Sequence, residues 1–532
     1  GDNMSKNGKK LRKEVVIIGN GPSAITLSYI LSGNWPYWNG CPVSNEYLNI
    51  KLEQFVKDNS ILEQDLEMLS DGLEGRTRNP IALLFDSLLH PDADLGVNSQ
   101  SKLFWKHVPN QIIDHVCIGR ETPGGVWNKL TSQHLSTVSL ANWMELPNYP
   151  FSTFRQQINQ HENSDNPHHN QKDSKRASYD EVRQYYKDYV KRQQLQKNFL
   201  NNREVTSIQR VCGEPAYYDE VKDEIRPTEL LWEIRGHKTD TQKPFCIYAK
   251  YVVLATGTTQ ELTRPLDIID KDQSHSFIKS TLTDIECLIK EKKLTPDSKP
   301  LLVIGCGLSA LDVVLLCEKY SIPVIHVFRK SIDDPDLVCN KLSSNTYADY
   351  EKLFEKMKHA VKQQQLINTQ TPVLNIHENT NVSSLDKVPT LYQCLPHCDI
   401  LSITEDGIVH IRNLKLSTKT QLIQYKYNIS YAAKLTGSEI KLNFFEDEGQ
   451  HLGSIKTKTL QPNDNPILIN PITYECAAVD HLYAIGPLVG DNLVRFLQGG
   501  ACAVAASLLK ALKSSNRKTS TTITTTLSRR RR

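Results

Sequence analysis

Two apolar runs, Val15-Val16-Ile17-Ile18 and Leu301-Leu302-Val303-Ile304, each end in a glycine-rich turn and lead into a stretch with helical apolar spacing. A short continuous apolar run suits a strand buried on both faces, and the change to a 3.6-residue period marks the helix that follows. The turns between them are Gly19-Asn20-Gly21-Pro22-Ser23-Ala24 and Gly305-Cys306-Gly307-Leu308-Ser309-Ala310, both G-x-G-x-x-A. In that pattern the first glycine permits the turn and the second lets backbone approach a pyrophosphate. The small third position lets helix pack on strand, with the helix N-terminus facing the anion. Two such fingerprints predict two dinucleotides, FAD and NAD(P)H, with electrons passing between them.

The first helix is expected from about Pro22 to Ser32, and a second strand should follow within about 20 residues. Instead residues 34–110 intervene, with helical spacing over Leu62–Leu69 and Pro80–Leu89, and predict a helical insertion. Strand 2 is expected over Gln111–Ile118, followed by Pro123-Gly124-Gly125-Val126-Trp127-Asn128. There Gly124 and Gly125 let the chain hug a cofactor, and Trp127 covers its ribityl and phosphate side; a plain turn with a core tryptophan is the alternative. Ser178 with Glu181 forms a capping box at the start of an amphipathic helix. A strand ending in Ala255-Thr256-Gly257 carries the chain out of the first domain past the cofactor, where only small residues fit. Ile429–Ser438 repeats that exit.

The strand over 323–330 ends in Arg329-Lys330. A carboxylate at that place accepts from a ribose 2′-OH, whereas an arginine pairs with a 2′-phosphate, so Arg329 with Lys330 predicts NADPH. The last core strand ends in Gly490-Asp491, expected to bring Asp491 to the flavin's ribityl or phosphate oxygens. Gln498-Gly499-Gly500-Ala501 then begins a helix whose N–H groups face the cofactor. The fold class that follows is α/β with two Rossmann-like domains, the NADPH domain inserted in a discontinuous FAD domain. The expected divisions are 14–260 for the first FAD segment, 261–440 for the NADPH domain, 441–512 for the second FAD segment and 513–532 for a disordered tail.

Composition adds limits. The 532 residues are 39% hydrophobic and 23% charged with a net charge of +3, so there is no polyanion-seeking field and nucleic acid is not an expected partner. Twelve scattered cysteines and the lack of a signal-peptide pattern predict a thiol-reducing compartment, the cytoplasm with the nucleus as alternative. No apolar stretch approaches the roughly 18 residues of a membrane span. His161, His168 and His169 lack ligand spacing, and Cys394-Leu395-Pro396-His397-Cys398 lacks a second Cys or His pair, so no metal site is expected. Cys306 reads as a small core-facing residue.

These motifs resemble the flavin-containing monooxygenase superfamily and, more closely, the oxidative-stress-induced growth inhibitor family. The stretches that carry the resemblance are Ile17–Ser23 with Leu31-Ser32-Gly33, Leu73–Arg76, Ala82–Asp86, Pro123-Gly124-Gly125, Asp333-Asp334-Pro335 and Gly490–Ala501. The resemblance implies a NADPH-dependent flavoprotein monooxygenase linked to oxidative stress, growth and cell death. Flavin reduced by NADPH reacts in that superfamily with molecular oxygen to give a C4a-hydroperoxide that oxygenates a small substrate. It also implies a segment Asn142–Pro147 in which Asn142 is the candidate active-site asparagine. An uncoupled NADPH oxidase releasing hydrogen peroxide, and a non-catalytic dinucleotide-binding protein acting through regulatory partners, are the alternatives. Two features depart from the superfamily pattern. The acid at the end of strand 2 is replaced by Ile118-Gly119-Arg120, and the motif before the second fingerprint survives only as Phe277-Ile278-Lys279-Ser280 or Ser274-His275-Ser276.

Overall fold

The computed structural model describes residues 11–130, 136–161, 175–213, 217–219, 224–226, 230–258, 276–342, 347–370, 391–415 and 424–529. The chain divides into two compact units, one made of Gly1–Thr259 with Ile440–Arg532 and the other of Gln260–Glu439.

In the first unit the strand Leu11–Ile18 pairs in parallel with Pro244–Leu254 on one side and His115–Ile118 on the other. Phe199–Leu200 extends the sheet beyond His115–Ile118, and Leu482–Ala484 joins in parallel beside Val252–Leu254. Leu230–Lys238 and Arg203–Cys212 continue it antiparallel. Burial on both faces of the parallel centre explains why Val15–Ile18 and Val252–Leu254 lack polar alternation. Helix Pro22–Leu31 packs on the C-terminal helix Val494–Arg529. That helix continues to Arg529, past residue 513 where a disordered tail is expected.

The insertion is not purely helical. Asn34–Trp38 pairs antiparallel with Leu103–His107, so a two-stranded ribbon opens and closes it around helices Glu46–Phe55, Leu66–Ser70 and Pro80–Leu89. The apolar run over 62–69 is interrupted because Asp65 accepts from the Met68 N–H at 3.0 Å and starts a new helix. Strand 2 is shorter than its apolar run. Pro109–Gln111 forms a single turn, and pairing begins at His115. The Ser178–Glu181 capping box is present as the sequence predicts.

The second unit has a five-stranded parallel sheet in the order Ile278–Lys279, Ala432–Lys434, Leu301–Ile304, Val324–Val327, Tyr392–Leu395. An antiparallel sheet of Cys398–Ile403, Ile408–Asn413 and Gln424–Asn428 shares its core, Val409 and Ile411 packing with Leu302, Ile304, Ile325 and Val327. Helix Leu308–Lys319 follows the fingerprint strand and packs on it. Both units are therefore α/β around parallel strands, as expected. His168, His169, Ser274 and His275 lie outside the described residues.

Candidate cofactor-binding sites

In the first unit Gly19 has φ +129°, and its N–H donates to the Ile118 carbonyl at 2.8 Å. A Cβ there would lie 2.1 Å from the carbonyl oxygen of Ala255, so only glycine fits beneath the strand exit Ala255-Thr256-Gly257. The Ala255 N–H in turn donates to Ile18 O at 2.8 Å, and Gly257 has open space around its α-carbon. Gly21 caps helix Pro22–Leu31 without a side-chain hydrogen bond, Pro22 opens it, and no acid occupies its first turn. Its positive end thus receives no counter-charge from its own first turn. Ser23 and Ala24 are buried against the sheet, and Ser23 sits directly under Gly486, where a Cβ would come 2.7 Å from its hydroxyl.

The Pro123–Asn128 turn closes over this fingerprint. Gly124 donates to Asn20 O at 2.9 Å, and a Cβ on Gly125 would be 2.9 Å from the α-carbon of Gly21. Trp127 stands edge-on to Tyr179 and Tyr186, with centroids 5.7 and 6.4 Å away. The missing acid of strand 2 has a steric cause. Buried Asn20 donates to Glu121 O at 2.6 Å, and a Cβ at Gly119 would fall 2.0 Å from its amide nitrogen. Arg120 pairs instead with Glu204 at 2.8 Å.

Asp491 is not presented as the sequence suggests. It is wholly buried, one carboxylate oxygen accepting from Thr77 Oγ1 (2.8 Å) and Asn79 Nδ2 (2.9 Å) and the other from the Tyr474 hydroxyl (2.9 Å). Burial pushes it up to about 6. Thr77 and Asn79 belong to the insertion, and so do the partners of Arg495, a fully buried cation of the C-terminal helix. Arg495 is held between Asp86 and Asp94. Burial pushes Asp86 up to about 7 even against the pull of Arg495. The C-terminal helix begins at Val494 and not at Gln498 as the sequence suggests, and at Gly499 a Cβ would lie 2.5 Å from the α-carbon of Ala82, so the two helices cross at backbone contact there. Gln498 is buried and donates through Nε2 to Glu145 O at 3.0 Å, which leaves its Oε1 without a protein partner. Half-buried Asn142 lies in the turn Ala141–Trp143, on the same short segment as Glu145. Gly490 takes φ +90° after the turn Gly486–Val489.

The insertion therefore has a legible role that composition did not reveal. It fixes the start of the C-terminal helix. The sequence signal was the shared set of family stretches, Ala82–Asp86 and Gly490–Ala501, which turn out to be in contact.

The second unit repeats the turn. Gly305 has φ +123°, its N–H donates to Val327 O at 2.9 Å, and a Cβ there would lie 2.1 Å from Leu435 O. The Leu435 N–H donates to Ile304 O at 2.8 Å, as Ala255 does to Ile18. His326 buttresses this turn. Its Nε2 donates to Gly305 O at 2.7 Å, so the neutral ring's Nδ1 accepts from the Tyr392 hydroxyl at 2.8 Å. Burial pulls its pKa down to about 4. Gly307 and Ser309 are exposed, nothing lies within 4 Å of a Cβ at Gly307, and Leu308 starts a helix with neither a side-chain cap nor an early acid. Arg329 follows the neighbouring strand. It is 62% exposed and pairs through Nη2 with Asp399 at 3.1 Å, while Lys330 donates to Asp336 O at 3.2 Å. Cys306 is half-buried beside the turn, and burial pushes its thiol up.

Among the described residues no group of three or more His, Cys, Asp or Glu side chains is placed to hold a metal ion, and no helix is long and apolar enough to cross a membrane.

No family model matches the chain. It is 36% identical over 513 residues to human Oxidative stress-induced growth inhibitor 2, covering 93% of this chain and 92% of that protein. It is 36% identical over 501 residues to mouse Oxidative stress-induced growth inhibitor 1, covering 93% and 95%. The homolog osgn-1 of Caenorhabditis elegans is 26% identical over 527 residues, covering 95% and 96%. Among solved structures, the bacillithiol disulfide reductase YpdA of Staphylococcus aureus superposes with a TM-score of 0.50 at 13% identity, over 94% of this chain and 99% of that one, a likeness of fold alone. Matched along nearly its whole length at more than a third of its positions, the chain belongs to the oxidative stress-induced growth inhibitor family.

Proposed function

We propose that this protein is a NADPH-dependent flavoprotein monooxygenase acting in the cytoplasm on a small substrate, with its activity tied to oxidative stress and growth control. The observation that supports it is the repeated cradle. At Gly19 and again at Gly305, a glycine at positive φ lies under a strand-exit carbonyl and leads to a helix N-terminus without cap or acid. That donor set fits a pyrophosphate in each unit. FAD in the first and NADPH in the second supply hydride transfer and oxygen activation when bound.

The remaining work falls to the chain. Gly21 and Gly125 bring backbone against the first cofactor, Trp127 walls it, and Gln498 offers Oε1 to a donor. Gly257 and Gly490 keep side chains out of its way beside the small Thr256, Gly499 lets the C-terminal helix close on Ala82, and Asn142 is the candidate for orienting the reacting oxygen. In the second unit Gly307, Leu308 and Ser309 present the helix end, and Arg329 with Lys330 supplies cations for the 2′-phosphate. Asp399 holds the guanidinium from its Nε and Nη2 side, which leaves Nη1 for a ligand.

A second reading, an uncoupled oxidase that releases hydrogen peroxide, is favoured by the loss of the ribose acid at Gly119 and by the burial of Asp491 among Thr77, Asn79 and Tyr474, both of which loosen the hold on FAD. Oxygen electrode traces with purified protein, FAD and NADPH test both. Substrate-dependent oxygen uptake without peroxide supports the monooxygenase, stoichiometric peroxide supports the oxidase, and no NADPH-dependent uptake overturns both in favour of a non-catalytic regulator.

A further inference from the structure

Outside the fingerprints, the first unit contains a run of Trp and Tyr rings spaced closely enough for an electron to step between neighbours. Trp127, in the turn that packs on Gly21, lies 6.4 Å from Tyr186 between centroids; Tyr186 is 5.6 Å from Tyr185, and Tyr185 is stacked on Tyr149 at 5.3 Å. A branch leaves through Tyr189 (6.2 Å from Tyr185) to Tyr29 (5.8 Å) and Trp105 (5.7 Å). Core packing accounts for rings that touch. It does not account for how their hydroxyls are sorted.

Tyr185, Tyr186 and Tyr189 each donate to a backbone carbonyl, of Tyr149 (2.6 Å), Met144 (3.2 Å) and Pro147 (2.8 Å). A carbonyl oxygen is too weak a base to take a phenolic proton. Tyr149 alone of these four donates to a carboxylate, Asp188 at 2.7 Å, whose side chain is 40% exposed. A tyrosine gives up an electron at moderate potential only when its proton leaves with it, so the first three rings are not resting places for a hole and serve as closely spaced bridges across which an electron tunnels. Tyr149 can keep it. Arg192 lies 4.5 Å over the Tyr149 ring and opposes its oxidation, while the loss of the proton to Asp188 removes the charge that would otherwise build up on the ring.

The geometry points to a hole-transfer path from Trp127 through Tyr186 and Tyr185 to Tyr149, which drains one-electron oxidants from the flavin site. The proposal rests on the flavin reading above. In balanced form, an oxygen-centred radical at the site takes one electron from Trp127 and one proton from solvent, giving water in the case of hydroxyl radical. The hole moves to Tyr149, which loses an electron along the chain and a proton to Asp188. Tyr149 is buried, so repair proceeds by electron transfer: a soluble thiolate gives one electron, Asp188 returns its proton to the Tyr149 oxygen, and a thiyl radical is left outside the protein.

The test uses the full chain loaded with FAD and a light flash, since photoexcited flavin takes an electron from the nearest aromatic ring. Transient absorption and freeze-quench electron paramagnetic resonance should find a long-lived tyrosyl radical in the wild type. Y149F should abolish it, W127F should cut its yield about tenfold, and D188N, which leaves every ring in place, should shorten its lifetime about tenfold through loss of the charge-assisted hydrogen bond. A yellow protein whose radical yield and lifetime are the same in wild type, Y149F and D188N overturns the path alone. A protein that takes up no flavin overturns the flavin reading and the path with it.

Discussion

The two fingerprints share a turn and differ in what surrounds it. Gly19 and Gly305 take nearly the same φ, +129° and +123°, and each would put a Cβ 2.1 Å from a carbonyl oxygen of the strand exit that crosses it. The next glycine separates them. Gly21 faces the α-carbon of Gly125 across the Pro-Gly-Gly turn, whereas Gly307 opens to solvent. The first site is further braced by the insertion, through Asp491, Arg495 and the crossing of Gly499 on Ala82. Among the described residues the second is backed by its own sheet and His326. The strand-turn-helix geometry dictates the first glycine in both, while covering or exposing the second glycine suits a cofactor that stays in one site and one that exchanges in the other.

The largest effects are expected where the sites agree. Gly19→Ala and Gly305→Ala each combine a positive φ with a backbone clash and should cost on the order of 3 kcal/mol or more, read by chemical denaturation. Gly307→Ala meets open space, so stability should change by less than about 1 kcal/mol while nucleotide affinity falls. If Gly307→Ala unfolds the protein, the open cradle is misread.

Next comes the brace. Arg495→Met strands the buried carboxylate of Asp86 beside the partly exposed Asp94 and should destabilise the first unit by about 3 kcal/mol at neutral pH, less in acid where Asp86 is protonated, with flavin lost in parallel. Unchanged stability would make the insertion a passenger.

A pH series sharpens the contrast. His326 has an unfolded pKa of 6.5 and a folded one of about 4, so the folded unit binds fewer protons between those values. Its stabilising contribution is complete above 6.5 and is lost as pH falls towards 4, by up to about 3 kcal/mol. Among the described residues the first unit contains three such histidines, His90 pulled to about 3, His115 to about 4, and His481, which burial also lowers. It also contains acids raised by burial, Asp86 and Glu145 to about 7 and Asp491 to about 6. These bind protons more readily folded than unfolded and add stability on acidification, offsetting the histidines. Calorimetry from pH 7.5 to 5 should show the second unit's transition falling further than the first's.

The smallest effect concerns specificity. Arg329→Ala should weaken NADPH about tenfold and leave NADH unchanged, read by fluorescence titration. Equal losses for both would remove Arg329 from the 2′-phosphate.

Much of this architecture is legible in the sequence, because continuous apolar strands and glycine turns are local properties. The fold class, the two fingerprints and the Ser178 cap all follow from short windows of sequence. What was not legible depended on distant partners. Asp491 reads as a cofactor ligand until Thr77 and Asn79, more than four hundred positions earlier, are seen to take its oxygens. The ribbon Asn34–Trp38 with Leu103–His107 has no turn signal, since its strands are joined through three helices. The absent acid at Gly119 makes sense only once Asn20 is seen to fill that space.

The most direct test of the account is an anaerobic absorbance titration of the purified protein, reconstituted with FAD, by NADPH. Two occupied cradles with electrons passing between their cofactors predict a protein that stays yellow after desalting and bleaches with one equivalent of NADPH. A colourless protein after desalting, or a yellow one that NADPH leaves oxidised, would contradict it.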